Sequence, residues 1–189
     1  MTPLLTDYLM RRRNKLVSRY VRGDVLDIGC GLGTIIPFLD AGQRYVGIKI
    51  SQEFVAYLSQ RFPQRRFYNC NVDEEPLELD DEGFDTVLLV AVIEHLAHPE
   101  KALAQVQKYL RPGGSLVITT PTLWGQRIHR LGARLGFFHP HAAADHVRAY
   151  DYAAMRDLVN HVGLEIVEHR RFELRFNQLF VCHPMVQKI

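Results

Sequence analysis

The stretch "VLDIGCGLG", residues 25–33, constrains this chain more than any other. An apolar run of strand character delivers an acid, Asp27, and then glycines at alternate positions, Gly29, Gly31 and Gly33, directly ahead of a helical pattern. Glycines are required where a backbone turns tightly and lets a ligand approach with no Cβ in the way. A glycine triplet alone is a weak signal, but the strand and acid before it make it a fairly specific mark of a nucleotide-type site. The spacing is G-x-G-x-G, with Thr34 where a dinucleotide fold places its third glycine.

Short runs rich in Val, Ile and Leu alternate with segments of helical period, which is the pattern of a parallel sheet covered on both faces. The strand candidates are 24–29, 44–50, 65–70, 84–90 and 115–121, followed by 164–172 and 179–183, close enough to form a hairpin. The expected fold is α/β, a Rossmann-like doubly wound sheet of seven strands in one domain spanning 1–189. Ser51 and Asp151 are positioned to cap helices, Pro99 to start one, and "RPGG" at 111–114 to break a helix into a tight turn. An N-terminal basic segment, 1–22, carries Arg11, Arg12, Arg13, Lys15, Arg19 and Arg22. Residues 123–141 are apolar and basic, which reads as a surface helix packed on the core, a lid over a substrate, or a face resting on a membrane.

Charge and cysteine usage narrow the function classes. A formal net charge of +2 argues against a dedicated nucleic-acid binder. Cys30, Cys70 and Cys182 are odd in number and widely spaced, so neither a disulfide framework nor a structural metal centre is expected, and a reducing cytoplasm fits best. No apolar run is long enough to span a bilayer, so membrane contact is peripheral at most.

"VLDIGCGLG", "GFDTVLLVAVIEHL" (83–96) and "YLRPGGSLVITTP" (109–121) together resemble the first, fourth-strand and fifth-strand motifs of the class I S-adenosylmethionine-dependent methyltransferases. Within that family "VIEHL" and "DHVRAYD" (145–151) are most similar to the ubiquinone-biosynthesis O-methyltransferase group. The resemblance implies a seven-stranded sheet whose last strand runs antiparallel and S-adenosyl-L-methionine as cofactor. It places Asp27, Gly29, Gly31, Gly33 and Val90 at the methionine end, and Asn71 and Val72 beside the adenine. Asn71 stands where the family usually has Asp. Its amide oxygen still accepts a hydrogen bond.

Lys49 is the departure, because the strand 44–50 is expected to end in an acid that accepts both ribose hydroxyls. A lysine has donors only. Three readings stay open: a methyltransferase with weakened cofactor binding, a site altered for a phosphate-bearing ligand, or a non-catalytic binding module. On the acceptor side, His95 after the fourth strand and His146 are candidate bases, with a helix-capping role for His95 as the plain alternative. His139, His141, Asp145 and His146 with Glu94 and His95 also contain metal-ligand types, as in the small-RNA 2′-O-methyltransferases; Ala91 replaces the first acid of that arrangement, and no metal is expected. The expected reaction is methyl transfer to an oxygen of a hydrophobic or aromatic small molecule. The alternatives are a non-catalytic or cofactor-impaired binding module of the methyltransferase fold, to which Lys49 points, and a metal-assisted RNA 2′-O-methyltransferase.

Overall fold

The computed structural model describes residues 4–80, 83–126 and 148–185. Seven strands form one sheet: β1 Val25–Ile28, β2 Tyr45–Lys49, β3 Arg66–Asn69, β4 Phe84–Val90, β5 Leu110–Pro121, β6 Leu164–Phe172 and β7 Asn177–Pro184. Their order is β3-β2-β1-β4-β5-β7-β6. All neighbouring pairs from β3 to β5 are parallel, and β7 is antiparallel to both β5 and β6. The antiparallel strand expected at the chain's end is therefore β7.

Among the described residues the helices of ten residues or more are α1 Leu4–Val17, α2 Gln52–Arg61, α3 Pro99–Lys108 and α4 Tyr152–His161. Successive strand residues face opposite sides of a sheet, and the core divides accordingly. Leu26, Ile28, Val87, Leu89, Leu116 and Ile118 pack with Leu103 and Val106 of α3 and Met155 and Val159 of α4. Val25, Leu88, Val117 and Leu179 pack on the other face with Val17 of α1 and Val55 and Leu58 of α2. Each such fully buried aliphatic side chain contributes about 1.5–3 kcal/mol. Among the described residues no helix is long and apolar enough to cross a membrane.

Two local expectations are corrected. Ser51 precedes α2 but its side chain makes no capping bond, whereas Asp151 caps α4 by accepting from the Ala154 N–H at 2.8 Å. The "RPGG" turn is absorbed into β5, which begins at Leu110 because Phe84 pairs with Leu110 before the register shifts to Thr86 with Ser115. Asp24 and Asp85 hold Arg111 there through 2.8 Å ion pairs, fixing the edge of the sheet opposite the glycine loop. Of the 123–141 segment, residues 123–126 are helical and the remainder lies outside the described residues.

Candidate active site

Every second residue of β1 meets the same face, so Asp27 projects to the side of Val25, which α1 covers. Asp27 is buried and accepts a hydrogen bond from the Tyr45 hydroxyl at 2.7 Å. Burial pushes its carboxyl up to about 7, against the opposing pull of the Tyr45 hydrogen bond and the Arg13 guanidinium. Arg13 reaches in from α1. Burial lowers its pKa, while Glu94, Glu173 and Asp27 hold it charged. Its Nε is buried with no hydrogen-bond partner. Beside it Asn14 donates to Thr34 Oγ1 at 2.9 Å, tying α1 to the glycine loop.

These groups surround a hollow of about 240 Å³ lined by Arg13, Asn14, Asp27, Gly29, Gly31 and Val90, among others. Gly31 and Gly33 both adopt left-handed φ, +56° and +67°, but they do different work. A Cβ on Gly31 would meet nothing within 4 Å, so this backbone borders open space in the hollow. A Cβ on Gly33 would stand 2.8 Å from the Phe62 ring, so that glycine permits close packing against α2's end. At the far rim Ala91 bends away from β4 with φ 56°, its N–H donating to Thr119 O at 2.9 Å.

The donor set suits an α-amino acid. A buried acid answers an ammonium, a buried guanidinium with an unsatisfied N–H answers a carboxylate, and Cβ-free backbone leaves room for the chain between them. The residues present therefore fit the methionine end of the cofactor that the glycine motif implies.

Four of the sequence-predicted residues, Asp27, Gly29, Gly31 and Val90, meet at this hollow, while Gly33, Lys49, Asn71 and Val72 do not line it. Lys49 ends β2 with its ammonium 5.3 Å from the centroid of the Phe54 ring. Asn71 turns its amide oxygen to the Asp73 N–H at 3.2 Å. Asp73 in turn accepts from the N–H groups of Ala97 and His98, both at 2.7 Å, and joins the loop after β3 to the loop after β4. Val72 is buried next to this junction.

His95 occupies the 3-10 turn Ile93–His95 just after β4 and is exposed at the carboxyl edge of the sheet. Its neighbour Glu94 points inward, 1% exposed, with Oε2 unpartnered. Burial raises the Glu94 pKa. His146, with His139, His141 and Asp145, lies outside the described residues. Among the described residues no cluster of three metal-ligating side chains is present.

Arg13, Asn14 and Thr34 also line the hollow, and the glycine motif alone does not mark them for it. Arg13 reads as part of the basic patch by composition, yet Met10, Arg13, Asn14 and Val17 recur at helical spacing and share the inward face of α1. That spacing was the available signal.

The chain matches the family model described as "Methyltransferase domain" over residues 4–169. It is 29% identical over 165 residues to a "Probable S-adenosylmethionine-dependent methyltransferase" of Mycolicibacterium smegmatis, covering 85% of this chain and 60% of that protein. It is 30% identical over 100 residues to the ubiquinone biosynthesis O-methyltransferase of Maricaulis maris, covering 51% of this chain and 39% of that one. The chain thus spans 60% or less of these two relatives. Among solved structures, magnesium protoporphyrin IX methyltransferase of Synechocystis with bound SAH superposes with a TM-score of 0.72 at 17% identity, covering 96% of this chain and 88% of that one. A methyltransferase in complex with the Haloferax volcanii Trm112 activator superposes at 0.76 and 17% identity, covering 96% and 94%. With the glycine loop, the sheet order and a family match over most of its length, this chain belongs to the class I S-adenosylmethionine-dependent methyltransferases.

Proposed function

We propose that this protein transfers a methyl group from S-adenosylmethionine to an oxygen of a hydrophobic or aromatic small molecule. The observation that carries the reading is the hollow at Gly31, open where a side chain would stand and flanked by buried Asp27 and half-buried Arg13, whose Nε is buried. When bound, the cofactor supplies a methyl carbon already activated by its sulfonium leaving group. Asp27 receives the ammonium of the methionine end and Arg13 donates to its carboxylate. Gly29 and Gly31 leave the backbone clear, and Val90 offers backbone at the end of β4. Lys49 donates to ribose oxygens in place of the usual acceptor, while Asn71 and Val72 flank the adenine. Gly33 supports the loop from behind.

His95 takes the acceptor proton as methyl transfer proceeds, from the sheet edge where ligands of open parallel sheets bind. His146 is the second candidate for that role. The apolar wall formed by Leu123, Trp124 and Phe176 beyond β5 favours a hydrophobic acceptor. Incubation with S-adenosylmethionine and a panel of phenols and hydroquinones, followed by mass spectrometry, tests the reading. A product heavier by one methylene unit together with S-adenosylhomocysteine supports it. Turnover confined to an amine or to RNA would contradict the oxygen assignment.

A further inference from the structure

A second and larger hollow, about 500 Å³, opens beyond the end of β5. Its wall includes Leu123, Trp124, Leu174 and Phe176, with Trp124 68% and Leu174 88% exposed. Its polar rim is donor-rich. Arg171 and Arg175 both line it and neither pairs with a carboxylate among the described residues. The Tyr150 hydroxyl is buried without a hydrogen-bond partner; burial raises its pKa and the Arg148 guanidinium opposes that rise. Of the acceptors at the rim, Asp151 Oδ1 takes the Ala154 N–H, Thr122 Oγ1 takes the Gly125 N–H, and Gln178 Oε1 lies 3.2 Å from His169 Nε2. Two guanidiniums against one capping carboxylate leave this hollow positive.

The turn that presents Arg175 is held in an unusual shape. Glu173, Leu174 and Arg175 have φ of 50°, 54° and 68°, three successive non-glycine residues in the left-handed region. Each such residue costs about 1–2 kcal/mol, and strain of this kind persists only when the surroundings impose it. Here they do. The Thr122 N–H donates to Phe176 O at 2.8 Å, Thr122 Oγ1 donates to Arg175 O at 2.9 Å, and Asn177 Nδ2 donates to Glu173 Oε2 at 2.5 Å. Gly125 lies so close that any Cβ would collide with Phe176 O. The backbone of the turn is thus pinned at the mouth of the hollow, where it presents Leu174 and Arg175.

We propose that the methyl acceptor is an amphipathic anion, its carboxylate or phosphate held by Arg171 and Arg175 and its apolar body lying along Trp124, Leu174 and Phe176. This rests on the methyl-transfer reading above. The strand order sets the spacing, because β6, which carries Arg171, is three strands from β4, which ends at Val90. That is roughly 14 Å at about 4.8 Å per strand. The acceptor therefore separates its anionic group from the methylated atom by an extended chain or ring system, and recognition and chemistry occur at opposite ends of it.

Trp124 is the only tryptophan of the chain and lines this hollow, so its emission reports occupancy directly. Purified protein is titrated with octyl phosphate below its micellar concentration, with octanol, and with phosphatidylglycerol vesicles. Expected is a saturable change in emission with octyl phosphate at about tenfold lower concentration than with octanol. In the double variant Arg171→Gln, Arg175→Gln the two probes should become equivalent, with affinity for S-adenosylhomocysteine unchanged by calorimetry. Equal response to octanol and octyl phosphate, no response to octyl phosphate, or an undiminished preference in the double variant would overturn the proposal. A response to vesicles alone would overturn it in favour of a membrane surface. Failure of the unmodified protein to bind S-adenosylhomocysteine would count against the methyl-transfer reading, while the emission titration would still decide the anion site.

Discussion

The Tyr45 hydroxyl donates to Asp27 Oδ2 across 2.7 Å in a buried site where the carboxyl is pushed up to about 7. Burial is the larger influence, so in the folded protein Asp27 holds its proton at pH values where an unfolded chain has released it. Between about pH 4 and 7 the folded state therefore binds more protons than the unfolded state, and stability falls as pH rises through that window. Glu94 and Glu173, also raised by burial, act in the same direction. Urea midpoints measured from pH 4 to 8 should decline more steeply for the unmodified protein than for Asp27→Asn; parallel profiles would remove Asp27 from this role.

The same acid should make cofactor binding depend on pH. An ammonium beside Asp27 favours the ionised carboxylate, so affinity should rise as pH increases through about 7 and then level off. Asp27→Asn should bind more weakly and without that dependence. A variant that retains the rise would show that another group titrates.

Arg13 is expected to recognise the carboxylate of the methionine end. Losing a hydrogen bond to a charged group costs about 1.5–3 kcal/mol, or roughly ten- to hundredfold in affinity. Arg13→Met should weaken S-adenosylhomocysteine by that factor in calorimetry. For the analogue that lacks the carboxylate the variant and the unmodified protein should bind alike. An equal loss for both ligands would mean that Arg13 supports the fold and does not read the carboxylate.

Gly31 and Gly33 separate ligand clearance from packing. Gly33→Ala should lower the urea midpoint more than Gly31→Ala, because its Cβ would press on the Phe62 ring at 2.8 Å whereas that of Gly31 would meet nothing within 4 Å. Gly31→Ala should instead lose cofactor affinity beyond any change in stability. The reverse ranking in both assays would contradict the placement of the hollow.

Lys49 and His95 test the two ends of the proposed chemistry. On the proposed placement of the ribose, Lys49→Asp supplies an acceptor for it and should tighten S-adenosylhomocysteine by about ten- to hundredfold; unchanged affinity would show that the site does not use this position. His95→Ala should reduce turnover by roughly a hundredfold or more with cofactor affinity preserved, by the usual size of general-base catalysis. An unaltered rate would exclude it.

Much of the fold is legible because its signals are local. The Val and Leu runs of β4 and the bounds of β6 follow directly from the sequence, as does the Asp151 cap. The start of β5 at Leu110 is not legible, since proline and two glycines argue for a turn and only the pairing with Phe84 makes that segment part of a strand. At the site the glycine motif marks one wall of the hollow. The opposite wall is supplied by α1, across the fold, and Arg13 sits among arginines whose composition suggests solvent. Glu94 is likewise hidden by its type, a carboxylate with 1% exposure in a short turn. Tertiary contact decides both.

The most direct test of the account is calorimetric titration of the unmodified protein and Gly31→Val with S-adenosylhomocysteine. The account predicts saturable binding of one ligand per chain by the unmodified protein and none by Gly31→Val, with both proteins folded by circular dichroism. Binding absent from the unmodified protein, or undiminished when a branched side chain fills the hollow, would contradict it.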